Sequence, residues 1–182
     1  SLYYSTLGAH AFAPSKQALS EAEEAVGKAL EIDDSLALAH AQLGQIHVYR
    51  WEWSLAATPI ERALELNPDL DHAYAAKAAL MFHTGSYEEA IELQRRSIEL
   101  DPLSILSRLI LASIPRIAGD YEVAIQAARQ GLEIDERNAI AHSVIGAIYI
   151  QTGRPAQGLV EMERARKLSE EVGVGAYLVL AY

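Results

Sequence analysis

The strings Ala63-Leu-Glu-Leu-Asn-Pro68 and Ser97-Ile-Glu-Leu-Asp-Pro102 are nearly one phrase, set 34 residues apart. On the same 34-residue grid the phrase recurs as Ala29-Leu-Glu-Ile-Asp-Asp34 and Gly131-Leu-Glu-Ile-Asp-Glu136, with a fainter copy at Ala165-Arg-Lys-Leu-Ser-Glu170. A fixed interval of this size marks units that cannot bury their apolar faces alone and must stack on their neighbours.

Other columns follow the interval. Gly44, Ala78, Ala112 and Gly146 form one small-residue column, and Ala22, Ala56, Ala90, Ala124 and Gly158 form a second. Ala29, Ala63, Ser97, Gly131 and Ala165 form a third, while Ile32, Leu66, Leu100, Ile134 and Leu168 form a large apolar one. Small residues let two helix axes approach closely. Gly85, Gly119 and Gly153 recur where the two halves of a unit should turn, and Gly accepts the left-handed conformation that ends a helix. Ser86 and Glu89 are expected to form a capping box on the next helix. Pro68 and Pro102 should stop one helix and can start the following one.

Apolar spacing predicts first helices near 37–50, 70–84, 104–118 and 138–152, and second helices near 53–66, 87–100, 121–134 and 155–168. The repeats are then 37–70, 71–104, 105–138 and 139–172. An irregular opening pair fills 1–34, with helices near 2–11 and 16–32, and 173–182 begins a further helix. Four positions depart from the pattern. His10 stands where a small residue belongs, Pro115 should kink or end its helix early, and Gly131 and Gly158 should weaken theirs by about 1 kcal/mol each.

These columns resemble the tetratricopeptide repeat (TPR) family, whose unit has 34 residues, a small residue in its first helix, two Ala positions in its second and Pro at the boundary. The resemblance implies an all-α, right-handed superhelical solenoid of antiparallel helix pairs. A narrower stretch, Tyr49-Arg-Trp-Glu-Trp-Ser-Leu-Ala-Ala57, is similar to a Tyr-Asp-Trp-Asp-Trp segment common in TPR regions of bacterial signalling proteins. There the arrays follow adenylate-cyclase-like, winged-helix or Ser/Thr kinase domains. Ser1 opens without Met and Tyr182 ends inside an apolar helical stretch, so the chain reads as a piece of a longer protein.

The resemblance implies that first helices line a concave groove. By repeat position its stripes are Leu38, Gln42, Gln45 and Tyr49; His72, Ala75, Ala79, Phe82 and His83; Leu106, Leu109, Ser113 and Arg116; and Ile140, Ser143, Ala147, Ile150 and Gln151. TPR modules that grip a C-terminal carboxylate use Lys, Arg and Asn there, whereas these stripes hold Arg116 and neither Lys nor Asn. An amphipathic helix or extended apolar peptide suits them better. Two occupants compete: an external peptide, or cover from missing repeats or a second copy of the chain.

Composition narrows the function. The net charge of −10, with no strongly basic window, argues against direct nucleic-acid binding and against an anionic membrane surface. The chain has no Cys, no signal-peptide pattern and no apolar run of the ~20 residues a membrane span needs, so a cytoplasmic location is the default. Six His invite a metal, but His72 and His83 lie ~16 Å apart along one helix, and His-Glu-x-x-His is missing. His40 and His142 share a column with Tyr74 and are expected to fill space between helices. Trp51 replaces a turn Gly, and an aromatic there is expected to bury its ring. The Glu21, Glu23, Glu24 and Glu88, Glu89, Glu92 groups sit on second helices as solvated or dipole-matched charge. With no P-loop, Gly-x-Ser-x-Gly or kinase motif, no enzyme and no cofactor are expected. The leading function is a scaffold that binds a protein or peptide partner. Alternatives are a regulatory arm on the chain's own upstream effector, a homodimerisation platform and a small-molecule sensor.

Overall fold

The computed structural model describes residues 16–171, the side chains of 106, 115–118 and 171 excepted. The expected helices near 2–11 and 174–182 lie outside the described residues. Among the described residues there are nine helices and no strand: α1 (Lys16–Ile32), α2 (Ala37–Tyr49), α3 (Trp53–Leu66), α4 (Asp71–Thr84), α5 (Tyr87–Leu100), α6 (Ile105–Ala118), α7 (Tyr121–Ile134), α8 (Ala139–Gln151) and α9 (Pro155–Glu171). Each bound of α2 to α8 falls within one residue of the periodicity reading. Helix α9 runs past the expected 168.

The chain divides into two compact units, whose described parts are residues 16–102 and 103–171. In the first, α2/α3 and α4/α5 are antiparallel hairpins, α4 packs against both α2 and α3, and α1 packs on α2. In the second, α6/α7 and α8/α9 are the hairpins, and α8 packs on both α6 and α7. This is the solenoid arrangement of helix pairs. A first helix thus touches its own partner and its neighbours. Helix α8 accordingly buries every residue from Ala141 to Tyr149. Second helices such as α5 bury one face, through Ala90, Gln94 and Ser97.

The small columns lie at helix crossings. Ala56, Ala63, Ala78, Ala90, Ala112 and Ala124 are fully buried. A Cβ on Gly44 would overlap the Ile60 side chain, and one on Gly146 would come within 3.0 Å of the Gly158 carbonyl oxygen. The two unusual helix glycines therefore separate. A Cβ on Gly158 would lie 2.8 Å from the Gly146 oxygen and 2.5 Å from Ile150, so close helix approach requires Gly there. A Cβ on Gly131 meets nothing nearer than 3.7 Å, and the expected weakness stands only for that residue.

Turns repeat as well. Gly85, Gly119 and Gly153 have φ of 89°, 90° and 76°. Trp51 takes the same left-handed place with φ 65°. The turn after α2 closes with Glu52 N donating to the His47 carbonyl, as Ser86 N does to Met81 and Arg154 N to Tyr149. These six-to-one bonds are Schellman closures. Between units of the repeat, Asp33, Asn67 and Asp135 accept through their side chains from the backbone N–H two residues on, at 2.9, 3.1 and 3.0 Å. Such Asx turns explain the Asp/Asn at the fifth place of these three copies of the repeated phrase.

Three expectations are corrected. Ser86 makes no side-chain capping bond, so the capping box does not form. Asp120 and Asn138 cap instead, accepting from Val123 N and Ala141 N. Pro115 does not end its helix early, since α6 continues to Ala118. Pro68 and Pro102 stand in turns, ahead of α4 and α6, and start neither helix.

Candidate functional site

The first-helix stripes were the expected binding face, and the described residues distribute them unevenly. On α2, Gln42 is exposed while Gln45 and Tyr49 are half-buried. On α4, His72 is exposed and Ala75, Ala79, Phe82 and His83 are half-buried. Helix α6 carries Leu109, which is buried, and Ser113, which is half-buried with its hydroxyl donating to the Leu109 carbonyl. Leu106 and Arg116 belong to the side chains outside the description. On α8, Ser143 and Ala147 are buried, Ile140 is half-buried, and Ile150 and Gln151 are exposed. The stripe therefore offers most of its surface on α2, α4 and the end of α8.

At the end of α4 the stripe meets an aromatic cluster. The His83 ring lies 5.3 Å from Trp51 and 5.2 Å from Phe82, and stacks at 14° over Trp53 at 6.3 Å. Trp51 and Trp53 are 5.6 Å apart, and Phe82 lies 5.7 Å from Tyr87. Trp51 was expected to bury its ring, yet it remains 45% exposed. Trp51 occupies the left-handed turn residue and is not part of the α2/α3 core cluster, against which Trp53 packs. His47 Nδ1 lies 2.8 Å from Glu52 Oε2 across the same turn and stiffens it.

The second feature is a groove of about 470 Å³ between α1 and α2. Gln42, Gln45 and Tyr49 line it from α2, and Leu19, Ala22 and Val26 from α1. The α1 side carries no signal as site material in the sequence, where α1 reads as the second helix of an irregular pair. Its Ala22 belongs to a column that is buried in α3, α5 and α7, but Ala22 itself is exposed. Arg50, just after α2, forms an ion pair with Glu23 on α1 at 2.6 Å. Burial pushes the Tyr49 phenol above the usual tyrosine range.

The column of His40, Tyr74, Arg108 and His142 does more than fill space. Each residue faces a carbonyl of the turn ahead of its helix: His40 Nε2 to Asp34 at 2.9 Å, Tyr74 Oη to Pro68 at 3.1 Å, Arg108 to Ser104 at 3.3 Å and His142 Nε2 to Glu136 at 3.1 Å. His142 Nδ1 also meets Glu161 on α9 at 2.6 Å. These are framework tethers between turn and helix. Among the described residues no group of three or more His, Asp or Glu is placed to hold a metal ion, and no helix is long and apolar enough to cross a membrane.

Residues 71–102, the α4/α5 hairpin, match the tetratricopeptide repeat family. Solved structures similar to the chain include MamA, at 20% identity and a TM-score of 0.68 over 87% of this chain and 92% of that one. The TPR protein YrrB matches at 20% identity and 0.62, covering 90% and 82%. The fold is that of a TPR array. A third similar structure is pilF of Pseudomonas aeruginosa, at 21% identity and a TM-score of 0.69, covering 80% and 67%. No curated protein matches the chain by sequence. The TPR frame accounts for the buried Ala columns and the left-handed turn residues.

Proposed function

We propose that the chain is a protein-interaction scaffold that holds a peptide or helix of a partner along its first-helix stripe, with the α4 end as the anchor. The observation that carries this reading is the ring cluster of Trp51, Phe82 and His83, part-exposed and fixed by a Schellman turn and by packing on Trp53. Aromatic side chains held in place beside small neighbours such as Ala79 are the usual anchors of protein interfaces. A preformed backbone lowers the ordering cost of binding. His72 extends the surface along α4, and Ile150 and Gln151 offer a further patch on α8. YrrB, described as a TPR protein with an unusual peptide-binding site, supports the same class of function. Binding, with no catalysis, is the role that this surface serves.

The test is a helical peptide selected by phage display on the full chain and measured by calorimetry. Phe82→Glu should weaken it about tenfold or more, through loss of an apolar anchor and burial of a charge, with an unchanged circular-dichroism spectrum. Equal affinity for the variant would remove α4 as the anchor.

The Tyr49–Ala57 segment favours a second reading, in which the scaffold is a regulatory arm and its partner is a cyclase-like, winged-helix or kinase domain of the same protein. Co-purification of such a domain with this chain, lost in Trp51→Ala, would support it.

A further inference from the structure

We propose that the junction of α7 and α8 carries an oxyanion site, in which Arg129 and the Tyr149 hydroxyl receive a carboxylate or phosphate group with Arg154 beside them. The site is independent of the partner-binding reading, which rests on the rings at the end of α4.

The repeat sets the places of these residues but not their chemistry. Two repeats earlier, at the junction of α3 and α4, the places of Arg129, Tyr149 and Arg154 are held by Glu61, Met81 and Ser86. Both junctions pack, so packing alone calls for neither a cation nor a hydroxyl there.

Arg129 is exposed, and its Nη2 donates to Tyr149 Oη at 2.8 Å. Glu133 stands four residues along α7, the usual spacing of a helical ion pair. Among the described residues, however, Arg129 pairs with no carboxylate and holds only the neutral phenol. A guanidinium has five N–H donors, so most of its capacity is unspent. Tyr149 is only 8% exposed, and its oxygen already serves as an acceptor. Among the described residues no acceptor takes the phenol proton. A hydroxyl that accepts from a cation becomes the stronger donor. One oxygen of a carboxylate or phosphate can accept from that hydroxyl while another accepts from the guanidinium, in the forked contact that Arg favours.

Arg154 supplies the second positive charge. Its guanidinium lies 4.8 Å over the Tyr149 ring, Nε donates to Thr152 Oγ1 at 3.1 Å, and Nη2 pairs with Glu122 Oε1 at 3.3 Å. Thr152 donates in turn to the Ile148 carbonyl at 2.8 Å, which ties the stack to the backbone of α8. The Glu122 side chain is 78% exposed, so this pair is weak and an incoming anion can compete for Arg154. The net charge of −10 repels anions at a distance, and solution salt screens that field while leaving short contacts intact.

The test replaces sodium chloride by sodium phosphate at constant ionic strength in a solution of the full chain. Nuclear magnetic resonance reads the Tyr149 ring carbon that bears the hydroxyl and the Arg129 guanidinium nitrogen, assigned through Tyr149→Phe and Arg129→Gln. Both signals should shift together and saturate, and Arg129→Gln should abolish the Tyr149 shift. Tyr149→Phe keeps the ring beside Arg154 and removes the phenol proton, so the midpoint read at Arg129 should rise about tenfold. Glu122→Gln releases Arg154, so its midpoint should fall about twofold. Circular dichroism of each variant should match that of the starting chain. Drift without saturation in the unsubstituted chain would overturn the site, as would an unchanged midpoint in Tyr149→Phe. Sodium acetate in place of phosphate separates the two sources: saturation by phosphate alone assigns a phosphoryl group, and saturation by acetate assigns a carboxylate.

Discussion

The hairpins α2/α3 and α4/α5 stand one repeat apart in the same unit, and they solve the same packing problem with different residues. At the helix crossing the first pairs Gly44 with Ile60, and the second places Ala78 and Gln94 in the same two columns. At the turn the first has Trp51 in the left-handed conformation and the second has Gly85. At the tether the first uses His40 and the second Tyr74, each reaching a carbonyl six residues back. The columns are thus requirements on volume and hydrogen bonding, and residue identity is free where those are met. Departures in which the requirement is not met mark positions where something other than packing is at work.

Crossing volume should give the largest effect. Gly44→Leu forces a side chain into the space of Ile60, whose burial is complete. Overpacking of this kind costs about 1–3 kcal/mol, and the upper end is expected because the Ala56 carbonyl oxygen also lies only 3.2 Å from the new Cβ. Gly146→Leu should cost a similar amount against the Gly158 backbone and Met162. Chemical denaturation reads both. A midpoint unchanged in either variant would mean that the small column does not set the helix spacing in that hairpin.

The second largest effect should be a gain. Gln94 is 0% exposed, and neither its amide nitrogen nor its oxygen has a hydrogen-bond partner. A buried polar group left unsatisfied costs about 1–3 kcal/mol. Gln94→Met keeps the length and the unbranched shape while removing the polar atoms, so it should raise the denaturation midpoint by an amount worth about 1–2 kcal/mol. Gln94→Ile, which copies Ile60, should gain less, because its β-branch would approach the methyl group of Ala78 where Ile60 has Gly44. If Met gains nothing, the amide has a partner in solution.

The contrast also shows what the bare sequence makes legible. The bounds of α2 to α8 are readable to within a residue because the 34-residue grid averages over many copies of weak local signals. The grid also announced the left-handed turns, since Gly recurs at 85, 119 and 153. It could not distinguish Gly131 from Gly158, because propensity is local and the reason for Gly158 is a backbone across the crossing. It suggested a cap at Ser86 from residue type alone, whereas capping depends on a side-chain angle that Asp120 and Asn138 adopt and Ser86 does not. The binding stripe was readable as positions on a helix. Which of its members stay at the surface depends on neighbours, so Ser143 and Leu109 are buried while Gln42 and His72 are not.

The turn should give the smallest effect and the sharpest separation of causes. Trp51 holds a backbone conformation that costs a side-chain-bearing residue about 1 kcal/mol or more relative to Gly. Its ring regains part of that by packing on Trp53 and His83. Trp51→Gly loses the ring and the strain together, so its stability should lie near that of the starting chain. Trp51→Ala loses the ring and keeps the strain, so it should be the less stable of the two by about 1 kcal/mol. Thermal melts of the two variants make the comparison with no need for an absolute scale. Equal melting temperatures would mean that the left-handed geometry carries no strain here. A Gly variant that is stable yet fails to hold the selected peptide would show that a strained Trp is kept at this turn for its exposed ring.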